Sequence, residues 1–306
     1  MPGKERRDGM FLTGSKKKLV IASLVLPGAF LFLFAVLFPI IVSVYIGTTD
    51  MTSFAETPNY VGFQNFINIL TQDWVFWRSL FNALLLGIVI IAVQHPLCIF
   101  FAILLDKAGG KLEKVFRALL FVPCVLSVVV TTKMWVNILS PNYGLLDKIL
   151  TGLGLERWIQ DWLGDPVLAL LCVVFIITWQ GFGMGLMIYY AGVKGIPDDV
   201  YEAAQIDGAS EWKMHLSITL PLMLPVIAVN TTLALLGSLK QMETIMLSTN
   251  GNPGNRTQFI ANYLYIKAFS SQEIGYANAI AVLFVIVCLV VAVVNNIVTN
   301  RDQTEF

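Results

Sequence analysis

Residues able to carry chemistry are few and scattered in this 306-residue chain. The four cysteines, Cys98, Cys124, Cys172 and Cys288, stand singly in apolar stretches without the C-x-x-C spacing of a thiolate metal site. They read as small buried hydrophobes. His95 and His215 are equally isolated, and no cluster of His, Asp or Glu suggests a metal site or a nucleophile with its base. Gly109-Gly110-Lys111 is followed by Leu112 rather than Ser or Thr, and no G-x-x-x-x-G-K-[ST] occurs. The sequence therefore predicts no catalytic residue, no metal and no cofactor held by this chain.

One polar segment has the chemistry of a contact surface. From Lys194 to Trp212, Pro197 followed by Asp198 and Asp199 signals a helix start, with both carboxylates near the positive end of the helix dipole. Gly208 can stop that helix or turn it sharply. Val200, Ala203 and Ala204 form a small apolar strip between Tyr201 and Glu202. Small side chains let another protein approach the backbone, and a carboxylate at the edge offers a charge-assisted bond to an arginine. A docking peg is the inference; a solvated connector is the plainer alternative from composition alone.

Stepping outward, 57% of residues are hydrophobic and only 13% charged, against about 25% in a soluble domain. A helix rises about 1.5 Å per residue, so roughly 20 apolar residues cross the hydrocarbon of a bilayer. Six such stretches are expected, over about 19–46, 79–105, 116–139, 167–193, 216–239 and 276–299, making residues 19–300 one all-α membrane domain. The third, from Ala118 to about Leu139, is interrupted only by Lys133. In a straight helix entered from the cytoplasm, that ammonium would lie about 24 Å along and reach the outer headgroups. With an internal N-terminus, thirteen of the 20 Lys and Arg residues fall on the cytoplasmic side and seven outside. Both tails, 1–18 and 301–306, and the loop over 197–212 are then cytoplasmic. Lys16-Lys17-Lys18 before an apolar run resembles a secretory signal, but the run is too long and no A-x-A site ends it, so it reads as a retained helix.

Two loops carry amphipathic patches. Phe63, Phe66, Ile67 and Leu70 recur at helical spacing after Gly62, and Leu145, Leu146, Ile149 and Leu150 follow the turn Pro141-Asn142-Tyr143-Gly144. Short helices on the membrane surface are expected at both. The richest turn cluster runs from Asn250 to Asn255.

Polar side chains within the apolar stretches are expensive in lipid and mark a bundle interior or a wet path. The candidates for a solute path are Asn82, Gln94, Thr131, Trp135, Trp179, Gln180, Tyr189, Asn230 and Thr231, with His95, Thr132, Asn137, Tyr190 and Thr232 beside them. Aromatic rings next to amide donors offer apolar faces beside hydrogen-bonding groups; helix packing and interfacial anchoring are the alternatives. His95, before Pro96, reads as a partner for backbone freed by that proline. Gly181, Gly183 and Gly185 read as close-packing positions.

The pattern around the polar loop extends further than the loop. Glu202-Ala203-Ala204, then Gly208, Ile218 and Leu220-Pro221, match EAA---G---------I-LP at seven positions over twenty residues. This resembles the permease subunits of binding-protein-dependent ABC importers, in particular their sugar branch. Leu37-Phe38-Pro39-Ile40 after Pro27, Tyr60 to Phe66, Trp179 to Gly183, Ala191 to Pro197, Asn252 to Thr257 and Gly275-Tyr276-Ala277 are similar to the same family. Ser248 to Pro253 departs from its usual T-G-G-P-type loop.

The resemblance implies an ABC type I importer fold of six helices in which the loop helix sits in a cleft of a separate ATPase. Glu202, Ala203, Ala204, Asp207 and Gly208 become the coupling residues. It also implies a second, non-identical permease, two ATPase subunits holding ATP and Mg, an extracytoplasmic solute-binding protein, and the plasma membrane of a bacterium or archaeon. Sugar or oligosaccharide is the implied solute, with glycerol phosphate or a polyol as alternatives. A carrier working without ATP is disfavoured because the charge-free cores contain no Asp or Glu.

Overall fold

A computed structural model describes residues 15–52 and 57–300 of the chain. Of the expected tails, only 15–18 falls within that range; 1–14 and 301–306 lie outside the described residues. From the N-terminus, α1 (Val20–Gly47) leads through α2 (Gln64–Thr71) to α3 (Trp74–Ala108). Next come α4 (Gly110–Val125), α5 (Val128–Ile138), α6 (Leu145–Gly152) and α7 (Leu168–Lys194). Then follow α8 (Asp198–Ile206), α9 (Glu211–Leu222), α10 (Leu224–Leu239), α11 (Glu243–Ser248), α12 (Ile260–Tyr265) and α13 (Ile274–Val298). Among the described residues the only extended pairing is an isolated bridge between Thr49 and Tyr60.

Four of these helices, α1, α3, α7 and α13, are individually long and apolar enough to cross a membrane. Two more crossings are possible only as bent pairs: α4 with α5, at 94°, and α9 with α10, at 64°. The first bend has a local cause. Pro123 lies in the last turn of α4, Leu126 and Ser127 are extended, and the Ser127 hydroxyl accepts from Val130 N to cap α5. The second falls at Met223, between Pro221 and Pro225, neither of which can donate to the preceding turn. The straight helix expected over 116–139 is therefore two helices, and the axial distance assigned to Lys133 does not apply. Its ammonium donates instead to the Leu247 carbonyl at 2.9 Å, tying α5 to the end of α11.

The surface helix expected after Gly62 is α2, but its buried residue is Ile69, while Phe63, Ile67 and Leu70 stay exposed. α6 occupies the second patch.

Lipid chains are as apolar as leucine, so close packing must hold helices together. α7 is central: it packs against α3, α4, α5, α10 and α11. One cluster joins Cys98, Ala102 and Leu105 of α3 to Leu186, Tyr189 and Val193 of α7; another joins Leu80, Ala83 and Leu86 to Val173, Val174, Leu239 and Phe259. Gly183 sets the α4–α7 distance: a Cβ there would lie 2.9 Å from the Leu120 carbonyl oxygen and from the Phe121 Cα. Cys98 is buried at the α3–α7 contact, and none of the four cysteines is in a disulfide.

The end of the bundle opposite α8 is clasped by Asp73. Its Oδ1 caps α3 by accepting from Val75 N and Phe76 N, and its Oδ2 accepts from the hydroxyls of Tyr263 and Tyr276, each at 2.7 Å. Lys267 lies over both tyrosine rings and pairs with Glu273 at 2.8 Å. Burial, together with its bond to Asp73, holds the Tyr263 phenol above its ordinary pKa, so it remains a donor. One carboxylate thus joins α3, α12 and α13.

Replacing Gly183 by Val should push α4 off α7 and cost about 1–3 kcal/mol, read as a lowered Tm of the purified protein; an unchanged Tm would mean that α4 yields without loss.

Candidate functional site

The loop between α7 and α10 is built by its sequence into a projecting unit. Pro197 takes extended geometry (φ −62, ψ 139) immediately before α8, and Asp198 and Asp199 occupy the first turn. At the other end Gly208 has φ +75, the left-handed conformation that glycine adopts without a Cβ penalty. Gly208 N donates to Gln205 O and Ala209 N to Ala204 O, both at 3.0 Å. This reciprocal pair is the Schellman closure, which satisfies two end carbonyls and turns the chain toward α9.

The two faces of α8 differ. Glu202, Ala203, Asp207 and Gly208 are exposed, and Ile206 is 87% exposed. Ala204 is 9% exposed and faces inward, so the apolar strip read from the sequence is split: Ala203 belongs to the outer surface and Ala204 to the seat. Tyr201 points inward too, packing on the cluster of Leu105, Val193, Ile196 and Met223, with its hydroxyl 2.9 Å from Thr219 Oγ1. Around the seat, Lys194 pairs with Asp106 at 2.6 Å and Lys107 with Glu211 at 2.5 Å. Glu113 accepts from Tyr190 at 2.6 Å and from Arg117 at 3.1 Å. Glu113–Arg117 is an i,i+4 pair within α4, but the other pairs join residues from 77 to 104 positions apart and leave no local mark in the sequence.

The remote half of the motif serves the same unit. Ile218 lies in the π-turn His215–Thr219 and Leu220-Pro221 in the turn before the Met223 break. The pattern therefore spans α8, its glycine stop and the bend in α9–α10.

Of the solute-path candidates, several are brought together and others are not. A cavity of about 450 Å³ between α3, α4 and α7 is lined by Gln94, Trp179, Phe175, Phe182 and Thr178 among apolar neighbours. Trp135 stands edge-on to Phe175 and Trp179, with ring centroids 4.9 and 5.3 Å away. A second cavity, about 290 Å³, lies between α3, α7 and α10 and carries Gln94, His95, Asn230, Ser238 and Gln241. Gln94 lines both, at the end of the π-turn Ile90–Gln94.

Tyr189 is fully buried with its hydroxyl beside the Asn230 amide and its ring edge-on to His95, whose Nδ1 has no hydrogen-bond partner. His95 is thus not the backbone partner expected beside Pro96; the π-turn takes up that irregularity. Thr131 and Thr132 are buried with unpartnered hydroxyls on α5, away from both cavity walls.

Three candidates are elsewhere. Asn82 donates to the carbonyls of Arg256 and Gln258, both at 2.8 Å, and so holds the turn-rich loop before α12. Gln180 donates to Leu126 O at 3.3 Å, bracing the α4–α5 bend. Thr231 is half-buried and lines neither cavity. Ser238 and Gln241, by contrast, are cavity residues the sequence reading missed. Of the three glycines, Gly183 and Gly185 face close neighbours, whereas Gly181 opens toward Gln94.

The site thus comprises an exposed helix projecting from a bent helical bundle whose mainly apolar clefts carry a few polar side chains. The chain belongs to the family of binding-protein-dependent transport system inner membrane components, matched over residues 96–301. It is 32% identical over 271 residues to the probable ABC transporter permease protein YurN of Bacillus subtilis, covering 88% of this chain and 92% of that one. It is 33% identical over 293 residues to the diacetylchitobiose uptake system permease protein NgcF of Streptomyces coelicolor, covering 92% and 82%. The fold also matches a chain in the crystal structure of a bacterial ABC transporter involved in the import of the acidic polysaccharide alginate. The TM-score is 0.79 at 26% identity, over 94% of this chain and 96% of that one. In the complex of such a transporter with an alginate pentasaccharide-bound periplasmic protein, the TM-score is 0.81 at 25% identity over the same shares. The fold is that of an ABC type I importer permease.

Gly208→Ala should strain the left-handed turn by roughly 1–2 kcal/mol and loosen the end of α8. Faster amide hydrogen exchange at Gly208 and Ala209 is the expected reading, and unaltered exchange would show that the closure tolerates a Cβ.

Proposed function

We propose that this chain is one of two non-identical permeases in an ATP-driven importer of a sugar or oligosaccharide. It works in the plasma membrane of a bacterium or archaeon, with α8 and both termini in the cytoplasm. Two separate ATPase subunits bind ATP and Mg and hydrolyse the nucleotide, and an extracytoplasmic binding protein delivers the solute. The observation that carries this reading is the exposed surface of Glu202, Ala203 and Asp207 on a helix that begins after Pro197 and is closed at its C-terminal end by Gly208. Ala203 permits close approach, Glu202 offers a charge-assisted bond, and Ala204 with Gly208 fixes the helix on its seat. Closure of the ATPase pair pushes on this surface and the helices above it change their arrangement.

The solute path runs through the two cavities that share Gln94. Trp179 and Phe175 offer flat apolar faces to C–H surfaces, while Gln94, Asn230 and His95 offer partners to hydroxyls. Burying a polar group without a partner costs a few kcal/mol, so the unpartnered His95 Nδ1 on the smaller cavity favours a hydroxylic guest or water. Trp135 supports the aromatic wall. Neither cavity is lined by Lys or Arg, which favours a neutral sugar or polyol over glycerol phosphate, and neither is lined by Asp or Glu, which disfavours ion-coupled transport without ATP.

The test is transport by the complex reconstituted with its binding protein and ATPase. Glu202→Ala should weaken ATPase docking about tenfold, in line with roughly 1.5–3 kcal/mol for a hydrogen bond to a charged group. Uptake that continues without ATP, or that is untouched by Glu202→Ala and Ala203→Trp, would refute the coupling role. Trp179→Ala and Gln94→Ala should raise the solute KM about tenfold while leaving ATPase docking intact; an unchanged KM in both would move the path elsewhere.

A further inference from the structure

We infer that Tyr201 and Thr219 are positioning residues that make α8 and α9 move as one body, with the hinge at Met223 rather than at Gly208. This inference rests on the reading of α8 as the ATPase-docking helix. The covalent route from α8 to α9 is short and soft. Gly208 and Ala209 donate only back to α8, and the next described backbone bond, Met214 N to Ser210 O, belongs to α9. A push on the exposed face of α8 could be spent in rotation about Gly208, where the absence of a side chain leaves the backbone most free.

A lateral bond closes that gap. The Tyr201 hydroxyl lies 2.9 Å from Thr219 Oγ1, and His215 Nδ1 lies 3.2 Å from the same oxygen. Thr219 is fully buried, and it ends the π-turn His215–Thr219. A threonine hydroxyl has one hydrogen and two acceptor sites, so it can serve Tyr201 and His215 together. The Tyr201 ring also packs on the cluster that holds Met223. The inward face of α8 is therefore held to α9 by packing and by a hydroxyl pair, across the loop that could otherwise flex.

Beyond Thr219 the geometry changes. Pro221 and Pro225 each remove a donor from the helical ladder, and around Met223, which still donates to Thr219 O and accepts from Ile227 N, the axis turns by 64°. Hinges are a few element-terminal residues that absorb changes in φ and ψ, and this break has that form. Motion received by α8 then reaches α9 undiminished and becomes a change of angle between α9 and α10, whose Asn230 lines the smaller cavity.

Tyr201→Phe and Thr219→Val in the assembled complex should each lower solute transported per ATP hydrolysed by about five- to tenfold, with ATPase subunits still bound and hydrolysing. Thr219→Ser, which keeps the hydroxyl, should retain coupling, and the double variant should be no worse than the more severe single one. Equal coupling in Tyr201→Phe and the unsubstituted chain, or losses that multiply in the double variant, would overturn the link. If these variants do not assemble, spin labels on exposed positions decide it in the otherwise unsubstituted complex. The separation of Ile206→Cys from Leu216→Cys should hold between nucleotide-free and ATP-trapped states, while that of Leu216→Cys from Val229→Cys shifts. A changing first distance overturns the inference. Co-purification of the ATPase is scored alongside: if it fails in the unsubstituted chain, the docking reading fails, whereas retained docking with no uncoupling removes only this link.

Discussion

A backbone amide or carbonyl left without a partner in hydrocarbon costs several kcal/mol, and this constraint governs where the chain may bend. Each departure from regular helix is met by a local device. The π-turn Ile90–Gln94 comes just before Pro96, the Ser127 cap follows Pro123, and the π-turn His215–Thr219 precedes Pro221 and the Met223 break. These places also adjoin the cavities and the projecting helix. Gln94 lines both cavities, the α4–α5 bend is braced by Gln180, and Thr219 meets the projecting helix. Irregular backbone is tolerated where other protein groups complete it.

The two ends of the bundle are built differently. At one end Asp73 fixes α3, α12 and α13 through two phenols and two backbone amides, and Asn82 holds the neighbouring loop through both of its amide hydrogens. At the other, α8 rests on a small seat of Ala204 and Tyr201, with ion pairs such as Lys107–Glu211 that remain substantially exposed. Exposed pairs of this kind contribute little to stability and exchange partners at small cost. The bundle is thus clasped at one end and loosely paired at the other.

Much of this was legible in the sequence, for identifiable reasons. Charge-free runs located α1, α3, α7 and α13 because lipid admits few alternatives, and the EAA pattern located α8 because Pro197, Asp198 and Gly208 are local signals. The bends were less legible: hydropathy is blind to direction, although Pro123, Pro221 and Pro225 were present as markers. Lys133 illustrates the consequence, since a depth computed for a straight helix fails once the axis turns by 94°. Side-chain roles were the least legible. Asn82 and Asn230 are the same residue type in equally apolar surroundings, yet one holds a loop more than 170 residues away and the other lines a cavity. Nothing local separates them, because the distinction is made by long-range packing.

The account stands or falls on α8 facing the cytoplasm as a contact surface for another polypeptide. The most direct measurement places a single cysteine at Ala203 in a cysteine-free chain and labels it with a membrane-impermeant thiol reagent. The account predicts labelling in inside-out vesicles, none in right-side-out vesicles, and protection when the ATPase is bound. Labelling from the extracytoplasmic side would contradict it.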